Sequence, residues 1–248
     1  MRQTLPNRTD ELLRYDIAPG VSAFSTLRDA SLPFSVVQAR QVHSDRIGVI
    51  TDADTTREEL EGIDALVTNI PGVAIGARTA DCVPVLLYDP AGKAIAAIHS
   101  GWRGTVRRIS AKAIKVMSEN FGTRPGNILA VIGPSIGPES FQTGAEVAEQ
   151  FRLAGLPVRE LVRNCGEKIP GTMMGGLHLD LWKANRMILE DAGVNTSNIF
   201  ISGIDTYQFK GFFSARREGT ECGRIINAIR LNPTVAGPGL ELPATAVG

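Results

Sequence analysis

The stretch from Thr79 to Thr105, TADCVPVLLYDPAGKAIAAIHSGWRGT, constrains the chain more than any other. Two apolar runs of strand length, VPVLLY and KAIAAIH, flank an Asp89-Pro90-Ala91-Gly92 linker whose Pro and Gly suit a tight turn. The stretch therefore reads as a β-hairpin. A turn centred between Pro90 and Ala91 pairs Tyr88 with Lys93 and, further up, Cys82 with His99. Directly opposed side chains of an antiparallel pair have Cβ atoms about 4.5–5.5 Å apart. A thiolate and an imidazole so placed could share one metal ion or form a Cys-His nucleophile pair. A one-residue slip would send them to opposite faces. Pro84 has no N–H for a ladder, which calls for an edge strand or a bulge near Cys82.

The 248 residues can bury a large core, and no Ser/Gly-rich linker or charge block splits the interior, so residues 1–233 read as a single catalytic domain. Twenty-six basic residues balance twenty-six acidic ones. No global field then selects nucleic acid or an anionic membrane, and anion binding must come from local clusters. The start, MRQTLPNRTDELLRYD, has no basic-then-apolar leader. No apolar run approaches the roughly 18 residues of a membrane span. The expectation is a cytoplasmic protein. Cys82, Cys165 and Cys222 are odd in number and far apart, which suits reduced thiols better than a disulfide framework.

Along the rest of the chain, residues 1–20 read as a frayed start ending in a turn at Ala18-Pro19-Gly20. Two β-rich runs follow, Ser35 to His43 and Ile47 to Thr51, and on the first Gln41 and His43 share a face by the period of two. An acidic loop leads to two short runs broken by Pro71-Gly72. After the hairpin, Val106, Ile109, Ala113, Met117 and Phe121 recur at helical spacing, predicting one helix from Trp102 to Gly122. NILAVIGPSIG reads as a buried strand, AEVAEQFRLAG and LDLWKANRMILEDAGV as helices, and NIFISGIDTY and GRIINAIRL as strands. VRNCGEKIPGTMMGG reads as an irregular, mobile loop, and the Pro/Gly/Ala-rich tail 234–248 as disordered. Hairpins dominate over βαβ crossovers. The fold class is α+β, with mixed β-sheets and flanking helices.

Chemistry must be found among few residues. The histidines are His43, His99 and His178. His43 adds a third borderline ligand to Cys82 and His99, and a His2Cys set suits zinc while leaving a fourth position open. Asp64 and Asp81 are further candidates. Asp81, next to Cys82 on a strand, points to the other face, where it could support a ligand, act as a general base, or be a plain surface acid. His178 precedes Asp180, which can cap a helix. The junction His99-Ser100-Gly101-Trp102-Arg103-Gly104-Thr105 opens a helix whose free N–H groups favour an anion, with Arg103, Arg107 and Arg108 adding charge. A glycine turn with solvated arginines is the plainer alternative. The spacings fit neither a P-loop nor a dinucleotide fingerprint. Arg216 and Arg217, beside Phe212 and Phe213, form a second candidate for an anion or for stacking.

Several of these stretches together resemble one family: Gln41-Val42-His43, TADCVPVLL from Thr79, HSGWRG from His99, GPSIGP from Gly133 and FFSARR from Phe212. They are similar, in order and over roughly residues 20–231, to the YfiH-like proteins. These were long labelled laccase-like polyphenol oxidases and are now regarded as purine nucleoside phosphorylases with adenosine deaminase activity. The resemblance implies an α/β/β/α sandwich with His43, Cys82 and His99 as ligands of a metal, normally zinc, with copper also reported. On this reading Cys82, His99 and Asp81 are catalytic, and Gln41, Arg78, Arg103 and Gly104 bind substrate and phosphate. The partners are a purine nucleoside and phosphate, with no nucleic acid or membrane, in a monomer or homodimer. Two departures stand out: Ser140-Phe141 where a Cys-Tyr pair often follows GPxIGP, and Asp205-Thr206 where a cysteine often precedes the Thr.

Elementary chemistry narrows the labels. A trinuclear copper cluster alone needs more imidazoles than the three in this chain, so a laccase of the usual kind is excluded for a monomer. The H-x-E and P-C-x-x-C signature of zinc deaminases is absent. The competing readings are a thiol hydrolase, with Cys82 attacking and His99 as base, and a metal-binding module without catalysis.

Overall fold

The computed structural model describes residues 2–4, 11–52, 54–56, 58–167 and 175–233. The first half of the chain contributes β1 (Arg2–Thr4), β2 (Leu12–Asp16), β3 (Val21–Thr26), β4 (Val37–Gln38), β5 (Ile47–Val49), β6 (Ala65–Thr68), β7 (Ala74–Thr79), β8 (Val83–Asp89) and β9 (Ala94–Ser100). Helices α1 (Trp102–Val106) and α2 (Ile109–Phe121) follow, then β10 (Leu129–Ile132), β11 (Gln142–Thr143), α3 (Ala145–Leu153), α4 (Val158–Leu161), β12 (Val162–Asn164) and β13 (Leu177–Leu179). The chain closes with α5 (Leu181–Asp191), β14 (Ile199–Ile201), α6 (Ala215–Glu218) and β15 (Ile225–Leu231).

Two six-stranded sheets form the body, one in the order β1-β2-β3-β15-β7-β4 and the other β14-β10-β8-β9-β6-β5; β11-β13-β12 make a small third sheet. Most pairs are antiparallel, but β4 with β7, β5 with β6 and β10 with β14 run parallel, so both large sheets are mixed. Leu13, Tyr15, Ile75 and Ile229 of the first sheet pack against Leu66, Leu86, Ile95 and Val131 of the second. The opposite face of the second sheet, including Val85, Leu87, Ala96 and Ile98, is covered by α2 through Ile109, Ala113 and Met117 and by α5 through Ala184 and Ile188. All seven residues of β8 and all seven of β9 are therefore buried. Burial on both faces explains why these strands are almost continuously apolar instead of alternating. The outer face of the first sheet is smaller: Leu12, Phe24 and Ala228 lie under Phe34 and Val36. The architecture is the expected one of mixed sheets with flanking helices.

The hairpin forms, with a different register. Its loop is Pro90 to Lys93, so that Tyr88 pairs with Ile95 and Pro84 with His99. The pairing of Cys82 with His99 expected from a two-residue turn is thus displaced by two residues. An even displacement preserves the face, and the parity that points Leu86, Tyr88, Ile95 and Ala97 between the sheets also points Cys82 and His99 there. Pro84 lies on neither an edge strand nor a bulge. It is the second residue of an interior strand, beyond the β10 ladder, which ends at the Val85–Ile132 pair.

Other expectations shift for local reasons. The supposed frayed start contains β2, where Leu13 and Tyr15 face the core while Arg14 and Asp16 are exposed. The run from Ser35 shrinks to β4, and neither Gln41 nor His43 stands on a strand. The helix after the hairpin is broken between α1 and α2, where Arg108 adopts a left-handed φ of 56°. The strand expected after Asn198 is only three residues long. The expected mobile loop lies partly, and the tail 234–248 wholly, outside the described residues. No helix among the described residues is long and apolar enough to cross a membrane.

Candidate metal centre

Cys82 stands one residue before β8 and His99 one residue before the end of β9, so the hairpin delivers both to one end of the space between the sheets. His43 arrives from the loop after β4. One ligand atom from each of the three side chains lies within 4.8 Å of the others, a grouping that could hold a metal ion. Cys82 Sγ is 3.8 Å from His43 Nε2, and the two imidazole rings cross at 68° with centroids 4.8 Å apart. Zn–S of about 2.3 Å and Zn–N of about 2.0–2.1 Å at tetrahedral angles place sulfur and nitrogen ligands about 3.5 Å apart, so the donor set and its spacing fit such an ion. Gly101 makes room for it: a Cβ there would stand 2.9 Å from Cys82 Sγ and 3.3 Å from His43 Cδ2.

What places His43 is a buried carboxylate. Asp64, just before β6 and 2% exposed, accepts from three consecutive backbone N–H groups, Val42 (3.1 Å), His43 (2.9 Å) and Ser44 (2.7 Å), and from the Ser44 hydroxyl (2.7 Å). This wrapping holds His43 at a φ of 61°, an uncommon conformation for a non-glycine residue. The same carboxylate accepts from His99 Nδ1–H at 2.7 Å. The bond fixes the tautomer and leaves Nε2 of His99 with its lone pair, as a metal-ligating histidine requires. Among the acids, sequence reasoning raised Asp64 without seeing that it ties the loop histidine to the strand histidine. The available signal is an acid directly before the apolar run ALVT, where a buried charge needs several donors.

Charges within the cluster are strongly coupled. Burial would raise the Asp64 carboxyl, but hydrogen bonds from His99, Ser44 and the backbone bring it down to about 2. Burial alone would also raise the Cys82 thiol; the charge of His99 and a hydrogen bond to His43 lower it to about 6. Burial opposes protonation of His99, yet Cys82 and Asp64 raise it to about 9. Without a metal, Cys82 and His99 thus form a thiolate–imidazolium pair between those limits.

A cavity of about 390 Å³ opens over the cluster, lined by Gln41, Arg78, Thr79 and Arg224 together with His43, Cys82 and His99. A second, of about 300 Å³, is lined by Trp102, Ile136, Phe141, Leu181 and Arg216. Ala80, Cys82 and Ala215 line both.

The remaining sequence candidates fall in varied places. Gln41 faces the first cavity, but its amide is engaged with the backbone of Arg78, donating to the carbonyl (2.9 Å) and accepting from the N–H (2.8 Å). Asp81, at a φ of 84°, accepts from the hydroxyls of Thr206 (2.7 Å) and Ser214 (3.1 Å) and from the Arg216 N–H (2.7 Å), docking the segment around α6 beside Cys82. Arg103 is exposed and lies 4.3 Å over the Trp102 ring. Gly104 is buried against Ile109 and the His99 carbonyl. Neither Arg103 nor Gly104 lines the two cavities. Arg107 donates to the His43 carbonyl (3.1 Å), and Arg108 pairs with Asp191. Arg217 is spent on the carbonyls of Thr206, Tyr207 and Phe212. His178 lines a separate hollow with Glu139 and Arg163, and Asp180 caps α5, accepting from the Lys183 N–H. The two departures from the family pattern meet each other: Ser140 donates to Asp205 at 2.6 Å. Cys82, Cys165 and Cys222 are all free thiols.

Fold and site together define a two-sheet α+β protein whose inter-sheet mouth carries a Cys-His-His cluster. The model of a family described as multi-copper polyphenol oxidoreductase laccase matches residues 23–232, and the chain belongs to this family. It is similar to a purine nucleoside phosphorylase of Bacteroides thetaiotaomicron, with 40% identity over 210 residues that cover 82% of this chain and 76% of that protein. It is also similar to adenosine deaminase RL5 from an unknown prokaryotic organism, with 41% identity over 202 residues, 78% of this chain and 74% of that one. Among solved structures, the Bacillus licheniformis hypothetical protein YfiH superposes with a TM-score of 0.81 at 26% identity, covering 91% of this chain and 98% of that one. The resemblance read from the motifs is borne out.

Proposed function

We propose that the protein is a purine nucleoside phosphorylase with adenosine deaminase activity, working at a single metal centre held by His43, Cys82 and His99. The observation that carries this reading is the Cys-His-His cluster on the floor of a cavity that also presents Arg78 and Arg224. The names of its relatives support the same substrates. A bound zinc or copper ion would supply Lewis acidity beside the reacting bond. The nitrogen-and-thiolate donor set favours zinc as resident, with copper as the alternative.

Phosphorolysis asks the chain for two things, a cationic seat for phosphate and a held nucleoside. A phosphate oxygen forms a bond to C1′ as the C1′–N9 bond breaks; the base leaves with the electron pair, and the proton lost by hydrogen phosphate balances the one the base takes up. Guanidinium groups suit the phosphate through paired hydrogen bonds, and Arg78, which lines the cavity, is the candidate for this role. Arg224 lines the same cavity while closing its own loop on the carbonyls of Cys222 and Thr220. Arg103 and Gly104, outside the cavity, are less well placed than their sequence context implied. Asp81 acts by holding the α6 segment, with any general-base role requiring release from its three donors.

A second reading, a thiol hydrolase with Cys82 as nucleophile, draws on the low Cys82 value in the metal-free protein. Purified enzyme assayed with inosine, with and without phosphate and after chelation, separates the two. Phosphate-dependent release of hypoxanthine that disappears on chelation supports the phosphorylase. Hydrolysis that survives chelation and stops on Cys82 alkylation overturns it.

A further inference from the structure

Two cavities share Cys82 as part of their walls, yet their linings differ. The first carries Gln41, Arg78, Thr79, Thr220 and Arg224, while the second presents Trp102, Ile136, Phe141 and Leu181. Its charged members are Arg216, whose guanidinium lies 5.7 Å from the Phe141 ring centre, and Asp81, whose carboxylate is engaged by Thr206, Ser214 and the Arg216 N–H. The sequence segments HSGWRG, GPSIGP and FFSARR, which supply one metal ligand between them, converge on this second cavity through Trp102, Ile136 and Ala215-Arg216.

We propose that the second cavity is the base-binding half of the substrate site, taking a planar purine ring beside Trp102 and Phe141, while the first takes phosphate at Arg78. This rests on the phosphorylase reading and adds an orientation to it. A nucleoside is a flat, largely uncharged ring joined through C1′ to a polar sugar. Laid across the shared wall, it places its ring in the second cavity and its C1′–N9 bond at the cluster, with C1′ turned to a separate phosphate held in the first. Aromatic side chains recognise any purine by stacking, which accommodates adenine, hypoxanthine and guanine alike. Arg103, lying over the Trp102 ring, steadies that ring from outside the cavity, a positioning role in place of direct phosphate contact.

The test is a split of Michaelis constants in the metal-loaded enzyme. Trp102→Ala and Phe141→Ala should each raise KM for inosine roughly five- to hundredfold, the span expected for losing one stacking partner, with KM for phosphate and metal content nearly unchanged. Arg78→Ala should do the reverse. Trp102→Phe, which keeps a ring, should restore most of the inosine affinity and guards against a merely misfolded Ala variant. Inosine KM unchanged in both Ala variants, or phosphate KM rising in step with it, overturns the assignment. Equilibrium binding of hypoxanthine is measured in parallel and needs no turnover. If the wild type performs no phosphorolysis yet binds hypoxanthine and both Ala variants lose it, the base cavity stands and the phosphorylase reading falls. No binding of hypoxanthine by an active wild type overturns the cavity alone.

Discussion

His99 is carried by β9, a strand buried along its whole length and paired on both sides, whereas His43 stands on a loop at a φ of 61° with its ring exposed. The strand sets the direction of His99 through a period of two that β8 and the packing of two faces enforce. The loop has no such period; three successive N–H groups bound to one carboxylate set it. The same Asp64 also orients His99. One half of the site is therefore robust by repetition, and the other depends on a single residue.

The largest effects should come from the ligands themselves. Cys82→Ala and His99→Ala, on a hairpin that folds without them, should leave the fold intact while metal and phosphorolysis are lost together, metal affinity falling at least about a hundredfold. Circular dichroism, metal analysis and inosine turnover read these separately. Activity that survives either change would take the metal out of the mechanism.

Asp64→Asn comes next and tests the contrast directly. The substitution keeps the shape but weakens an acceptor that serves five donors, and loss of an outer partner of a metal-ligating histidine typically costs about 10–100-fold in metal affinity. Titration with a competing chelator gives the number. In cobalt-substituted protein the visible bands should also change, which a purely structural loss would not cause. An unchanged spectrum with unchanged affinity would mean that the loop holds His43 by itself.

In the metal-free protein the pair Cys82 and His99 should betray itself by pH. With Cys165 and Cys222 replaced by serine, alkylation of Cys82 should rise with a midpoint near 6, instead of near the ordinary 9, and run roughly tenfold faster than an unperturbed thiol at neutral pH. The lowered thiol contributes stability that is lost as pH falls through about 6; the raised imidazole contributes stability that is lost as pH rises through about 9. The pair's contribution is therefore greatest between those limits. Zinc should abolish the fast alkylation, and a midpoint that stays near 9 would remove the ion pair.

How much of this could be read in the sequence follows the same division. The hairpin, α3, α5, β15 and the Cys82–His99 face were legible because apolar runs and helical spacing are local signals. The register was not, because a four-residue loop and a two-residue turn use the same Pro and Gly; the even offset saved the site. His43 was expected on a strand with Gln41, and both lie on a loop whose course is set by Asp64, about twenty residues further along the chain. The break at Arg108 and the short β14 escaped for a similar reason: both are decided by packing of distant segments. Resemblance supplied the third ligand, which spacing alone could only suggest.

Gln41 offers the smallest and sharpest test of the loop. Its amide gives and receives one hydrogen bond with the backbone of Arg78, extending by side chain the edge where β4 has stopped pairing with β7. As a staple, its removal in Gln41→Ala should cost about 1–2 kcal/mol, since two net hydrogen bonds are lost at a half-buried position. In a domain of this size that is a fall in Tm of several degrees. Phosphate KM should then change little, because the carbonyl oxygen and one of the two amide N–H groups hold the side chain against the Arg78 backbone. A substrate-binding Gln41 predicts the opposite pattern, an unchanged Tm with KM for phosphate or inosine raised about tenfold. Gln41→Glu sharpens the choice: it retains the acceptor for the Arg78 N–H but turns a carboxylate oxygen toward the Arg78 carbonyl, so a staple should lose at least as much stability as in Gln41→Ala.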